Sequence, residues 1–202
     1  MQSVSGYADI RAGACGGQRC PRPGTPSCHG SMPDNQPSLG EARLDLDYKS
    51  PRTLIEMLNT CRRQNANYLL NIGPKGNESI PLMAQALLEQ MGMWTNMAGS
   101  NFYDGVLSGI ACGGDAYVLD AAGYSDVYVP GLPLIGVKNV VEEGEDNRRI
   151  IHMDHADRRI AQIRWLDSGE ELKFEQDGSQ VSFKATGYPY GRDLVARIAR
   201  IS

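Results

Sequence analysis

Asn71 is the side chain whose position most invites chemistry. It stands near the end of Asn67-Tyr68-Leu69-Leu70-Asn71-Ile72-Gly73-Pro74, where the apolar run from Tyr68 to Ile72 is closed abruptly by Gly-Pro. A short run of large apolar side chains with such a stop suits a fully buried strand, and the carboxyl ends of buried strands are where α/β folds hold ligands. An amide there offers both a donor and an acceptor to a ligand hydroxyl. The plainer alternative is a satisfied core amide that holds the strand-to-loop turn. Asp34, Glu41, Asp45 and Asp47 supply carboxylates for acid-base work on or beside a long loop, but no spacing pairs any two of them. They read as solvated surface charge.

His152, Asp154 and His155 combine imidazole and carboxylate in four residues. In a strand His152 and Asp154 share a face while His155 points away, so spacing alone builds no three-ligand site, and surface or turn positions fit them better. Cys15, Cys20, Cys28 and His29 are the available zinc donors, yet they lack the paired short knuckles of structural zinc sites. We therefore expect no metal and no cofactor. Cys61 and Cys112 read as small buried thiols.

The elements that would position Asn71 are legible on both sides of it. Ser50-Pro51 is a cap followed by proline at the first helical position, and Leu54, Ile55, Leu58 and Cys61 then recur on one face to about Gln64. After the strand, a polar loop from Lys75 to Ser79 leads to Pro81, which opens a second helix with Met83, Leu87, Met91 and Trp94 expected on one face. Helix, buried strand, loop and helix is the local grammar of parallel α/β folds.

Upstream, residues 1–30 are rich in Gly, Pro, Cys and Arg with no period of either secondary structure, so no core is expected from them. From Ser31 to Asp47 the chain reads as a long surface loop, the kind that often carries function. Beyond Asp104 short alternating segments follow: Tyr117 to Leu119, Val127 to Val129, Arg149 to Met153, Ile160 to Leu166, Leu172 to Glu175, Val181 to Ala185 and Leu194 to Ile201. Asp167-Ser168-Gly169 and Gln176-Asp177-Gly178-Ser179 are turn chemistry between them, and the whole reads as a small antiparallel β-sandwich. The last segment also suits a short helix. Trp94 is expected to pack, and Trp165 to be core in preference to an exposed platform.

The 202 residues suffice for a real core. A net charge of -4 with scattered basic residues argues against nucleic acid as a partner. No apolar run approaches the ~20 residues of a spanning helix, and Met1 to Cys20 lacks a signal-peptide pattern, so we expect a soluble chain with no membrane partner. Localisation and homo-oligomerisation stay open.

Tyr48-Lys49-Ser50-Pro51, Asn67 to Pro74, Ser79-Ile80-Pro81 and Met91-Gly92-Met93-Trp94 together resemble the α-L-fucosidase family of glycoside hydrolases. Leu166-Asp167-Ser168-Gly169-Glu170-Glu171-Leu172-Lys173-Phe174 resembles the family's carboxyl-terminal β domain. The resemblance implies an α/β plus all-β chain: a non-native or disordered lead at 1–30, the last units of a (β/α)8 TIM barrel at 31–104, and a β-sandwich at 105–202. It implies hydrolysis of terminal α-L-fucose with retention, a reaction of two carboxyl groups, on a fucosylated glycan engaged through the full-length enzyme.

In the family the nucleophilic Asp lies on an earlier barrel strand than any visible here. If Cys28 is the family's Cys that follows the acid/base Glu by two residues, Pro26 stands in the Glu position. The expected catalytic set on this chain is therefore empty. Substrate contact falls to Asn71 and to Leu39, which replaces an aromatic that packs on the sugar in the family's Ser-aromatic-Gly-aromatic loop, here Ser38-Leu39-Gly40-Glu41. An aliphatic side chain keeps apolar contact but has no π face for the C–H edge of the sugar. Two rival readings are a noncatalytic glycan-binding or interaction β module, favoured by exposed aromatics on one sheet face, and an enzyme completed by strands supplied in trans.

Overall fold

The computed structural model describes the backbone of residues 27–31, 48–132, 134–135, 148–189 and 195–202, with side chains over 48–132, 149–187 and 195–202. It divides into two compact units, 1–95 and 96–202, a boundary nine residues ahead of the one expected from the sequence.

In the first unit, strand β1 (Ser27–Ser31) pairs in parallel with β2 (Asn67–Asn71), and helix α1 (Pro51–Arg63) lies between them in sequence and packs on both. β1 falls inside the segment from which no element was expected. Its sequence, Ser-Cys-His-Gly-Ser, has no apolar alternation to announce a strand, and the parallel partner supplies its hydrogen bonds instead.

α1 begins as its sequence dictates. Ser50 is the N-cap, its Oγ accepting from the Thr53 N–H at 3.1 Å, and Pro51 follows at the first helical position. Leu54, Ile55, Leu58 and Cys61 are buried, on the expected face. The helix closes through Asn65, whose φ of 52° is in the left-handed region. The Ala66 N–H reaches the Cys61 carbonyl at 2.8 Å and the Asn65 N–H that of Arg62 at 3.0 Å. That paired closure is the Schellman arrangement, with asparagine in the place glycine usually takes.

α2 (Leu82–Ala98) follows β2, with Pro81 just ahead of it and its carbonyl accepting from the Gln85 N–H. The buried face is Ala84, Leu87, Met91, Trp94 and Ala98, so Met83, expected on that face, is instead half exposed at 51%. Residues 84, 87, 91, 94 and 98 follow the three- and four-residue steps of a helix, and Met83 is off that line. No helix among the described residues is long and apolar enough to cross a membrane.

The second unit is mostly antiparallel sheet. After the one-turn helix α3 (Asn101–Asp104) come β3 (Val106–Leu107), β4 (Ala111–Cys112), β5 (Tyr117–Ala121), β6 (Tyr124–Pro130) and β7 (Leu134–Ile135). There follow β8 (Arg148–Asp154), β9 (Ile163–Trp165), β10 (Phe174–Asp177), β11 (Gln180–Thr186), β12 (Tyr188–Pro189) and β13 (Ala196–Ile201). Two main sheets result, ordered β10-β11-β8-β4 and β3-β5-β6-β13-β9, beside a small parallel pair, β12-β7.

One apolar cluster joins the two main sheets. Ile151, Met153, Val181, Phe183 and Ala185 come from the first, and Val118, Val127, Ile163, Trp165 and Ile201 from the second. β11 shows why alternation reads well here: Val181, Phe183 and Ala185 are buried while Gln180, Ser182 and Lys184 are not. β10 turns into β11 through Gly178-Ser179, with Asp177 opposite Gln180 and a φ of 57° at Gly178, a conformation glycine adopts without strain.

Two arginines of β13 make ion pairs, Arg197 in a buried pair and Arg200, a quarter exposed, with a fully buried carboxylate. Asp126 on β6 is fully buried and accepts from Arg200 Nε at 2.8 Å, from the same guanidinium's second arm at 2.9 Å and from Asn101 Nδ2 at 2.9 Å. Arg200 is its register partner on β13, so the pairing is made by the strand alignment. The carboxylate and its hydrogen bonds raise the Arg200 guanidinium above its ordinary pKa. Arg197 bridges to Asp167 at 3.0 Å, donates to the Thr186 and Gly187 carbonyls, and lies 4.0 Å from the centre of the Trp165 ring. Trp165 is fully buried, a core residue as expected.

Candidate functional site

Asn71 is the last residue of β2 and Ser31 the last of β1, and the parallel register sets them opposite one another. Both strands therefore finish at the same level. The expectation of a strand buried on all sides is corrected: Tyr68 and Leu70 are buried, Leu69 and Asn71 are half-buried and Asn67 is exposed. A strand whose sides alternate in this way has one face on a core and one face able to meet something else. Asn71 is on the second face. Its amide makes no hydrogen bond to another described residue, so the described residues do not satisfy it as a core asparagine.

The chain then leaves β2 through half-buried Ile72, Gly73, Pro74 and Lys75 into an exposed turn. That turn is fastened by its own atoms. The Lys75 N–H donates to the Ser79 carbonyl at 2.9 Å, the Glu78 N–H to the Lys75 carbonyl at 2.9 Å, and Asn77 Oδ1 accepts from Ser79 Oγ at 2.7 Å. Glu78 takes a φ of 67°, in the left-handed region. A loop closed on itself in this way holds the strand end in a fixed shape without help from a ligand.

Several sequence candidates lie outside the described residues: Leu39, Asp34, Glu41, Asp45, Asp47, Pro26, Cys15 and Cys20. Cys28 and His29 are described in backbone only, within β1. In the second unit His152, Asp154 and His155 are all exposed, with Asp154 accepting from Gln180 Nε2 at 3.1 Å. His155 has a φ of 63° just past the end of β8, which turns it off the strand face. No group of three metal-ligating side chains comes together among the described residues.

Cys61 is buried and Cys112 half-buried, and neither is in a disulfide. Burial, with a further push from the Asp154 carboxylate, drives the Cys112 thiol from its ordinary 9.0 up to about 12. Such a thiol holds its proton through the neutral range and is a poor nucleophile.

Sequence reasoning missed β1, and with it the pairing that puts Ser31 beside Asn71. Only the parallel partner reveals it.

With this geometry in view, comparison with known proteins is specific. Residues 38–100 match the family described as alpha-L-fucosidase, the stretch that holds α1, β2 and α2. The resemblance seen in the sequence is thus borne out over the segment that carries Asn71.

Solved structures agree on the fold. An α-L-fucosidase isoenzyme from Paenibacillus thiaminolyticus is 18% identical with a TM-score of 0.61, over 86% of this chain and 38% of its own. The Thermotoga maritima α-fucosidase is 17% identical with a TM-score of 0.58, over 86% and 38%. A GH29 α-L-fucosidase from Bacteroides thetaiotaomicron, solved as a trapped covalent intermediate, is 17% identical with a TM-score of 0.58, over 86% and 37%. The chain thus spans well under half the length of these enzymes. No curated protein matches.

Proposed function

We propose that this chain is the carboxyl-terminal part of a retaining α-L-fucosidase-like glycoside hydrolase. The family match over residues 38–100 is the observation that carries the reading. In it, β1, α1, β2 and α2 are the closing units of the catalytic barrel, and the sheets beyond 104 are the β-sandwich that follows it. A parallel pair with a helix between its strands supports this assignment, because parallel neighbours need a crossover and barrels are built from that unit. On this reading the barrel portion reaches back to Ser27.

The chain's own part in catalysis is then to shape and bind. Asn71 hydrogen-bonds a hydroxyl of terminal α-L-fucose at the carboxyl end of β2, and Leu39 gives apolar contact to the sugar ring. Retention requires a nucleophilic carboxylate and an acid/base carboxyl about 5–5.5 Å apart. On this reading both come from elsewhere in the full-length enzyme, so the chain by itself binds weakly and does not hydrolyse.

A noncatalytic module that grips sugars on an exposed aromatic sheet face is a separate reading. The exposed large apolar residues among those described are Ile80, Leu82, Met83, Met93, Val106 and Ile150, none of them an aromatic platform.

Titration of the isotope-labelled chain with L-fucose, followed by amide resonances, tests the reading. Perturbation of the amides of Asn71, Ile72, Gly73 and Lys75 by fucose and not by glucose is expected; equal response to both sugars, or none, overturns the assignment of the site.

A further inference from the structure

A cleft lies in the second unit, beside the loop between β8 and β9. Asp157, Arg158, Arg159, Ile160, Phe174 and Gln176 line an open cleft of about 490 Å³, within the range of small-ligand sites. The wall is built. Gln176 on β10 spends its whole amide on the loop, with Oε1 accepting from the Ile160 N–H at 3.0 Å and Nε2 donating to the Arg158 carbonyl at 2.9 Å and the Gly178 carbonyl at 3.2 Å. Arg158 is held by one arm, which donates to Ser125 Oγ at 3.0 Å and the Ile201 carbonyl at 3.4 Å. A guanidinium has five N–H donors in a planar fork, so the rest of this one stays available in a fixed place.

Arg159 and Asp157 are exposed and make no ion pair or hydrogen bond with other described residues. Ile160 is buried beneath the loop, and Phe174 is half-buried against the core cluster, leaving part of its ring at the cleft.

We propose that this cleft binds a saccharide unit that carries an oxyanion, either a carboxylate or a sulfate. Each lining group has a matching function. The forked donors of Arg158, with Arg159 beside them, suit two oxygens of a planar carboxylate or two of the three terminal oxygens of a tetrahedral sulfate ester. Asp157 accepts from hydroxyls, which a simple inorganic anion does not offer. The ring of Phe174 gives an apolar surface to the C–H face of a pyranose. The site is separate from Asn71 and does not depend on the fucose assignment.

The test is titration of the labelled full chain with three probes: glucuronate, galactose bearing a sulfate ester, and neutral galactose. Amides of residues 157–178 are expected to shift with at least one charged sugar and not with the neutral one. The first two probes tell a carboxylate ligand from a sulfate. Arg159→Gln, a change at an exposed side chain, is expected to weaken that binding about tenfold while leaving the rest of the spectrum unchanged. Inorganic sulfate that shifts these amides as strongly as the charged sugars would show an ion site with no sugar recognition and overturn the proposal. So would no response to any probe, an equal response to neutral galactose, or unchanged affinity in Arg159→Gln.

Discussion

Ser31 and Asn71 are register partners, each the last residue of its strand in the parallel pair β1-β2. The consequence is a shared strand end, from which Asn71 projects on the half-buried side of β2. If that amide binds a fucose hydroxyl, Asn71→Ala removes one neutral hydrogen bond, worth about 1 kcal/mol, or roughly five- to tenfold in affinity. Calorimetric or NMR titration with fucose measures it. The melting temperature of the variant should stay close to the parent's, because the amide has no described hydrogen-bond partner to leave stranded.

The Arg197 and Asp167 side chains are 3% and 2% exposed, so breaking their pair strands a charge in the core. Arg197→Met should cost about 3–5 kcal/mol in denaturant unfolding. The double variant Arg197→Met with Asp167→Leu should recover part of that loss, since replacing both partners by apolar groups is far milder than removing one. Equal stability of the single variant and the parent would show that the pair does not hold the sheet.

Cys112 gives a pH dependence whose sign can be worked out. Its folded thiol is raised from 9.0 to about 12, chiefly by burial and secondly by Asp154. Above pH 9 the unfolded chain releases this proton while the folded chain retains it, so stability tied to this group falls between pH 9 and about 12 and is intact below. Cys112→Ala should flatten that alkaline decline in a melting-temperature profile. At pH 8 the folded chain should also resist alkylation at Cys112.

The start of α1 rests on one side chain. Ser50→Ala removes the acceptor for the Thr53 N–H and should lower stability by about 1 kcal/mol. Ser50→Asp should retain most of it, because a carboxylate caps as well and favours a helix N-terminus. Chemical denaturation of the three proteins decides this.

How far the sequence could be read depended on local contrast. α1 was legible because a cap, a proline and a clean apolar face coincide. The face of α2 was harder, since Leu82, Met83, Ala84, Ala86, Leu87 and Leu88 are apolar in close succession, and the pattern does not say which of them turn inward. Leu82 at 74% and Met83 at 51% exposed fall on the outer side.

β13 was ambiguous between strand and helix for a related reason. It lies between β6 and β9 and is buried on both sides except at Arg200, so the two-residue alternation is lost. Ile160 to Leu166 shrank to Ile163–Trp165 because the residues before it form the loop fastened by Gln176. β1 carried no readable signal, and the two-residue strands β3, β4, β7 and β12 are too short to show a period. At the site, the sequence pointed to Asn71 and to the end of its strand, while its neighbour on β1 became visible only through pairing.

The central proposal is that this chain forms part of a fucose-cleaving pocket without supplying the groups that cleave. Incubation of the purified chain with a chromogenic aryl α-L-fucoside measures that directly. Release of the chromophore at the rate of the protein-free blank is the predicted result. Turnover above blank that is abolished by neutralising one of the chain's own carboxylates, Asp34, Glu41, Asp45 or Asp47, would contradict it.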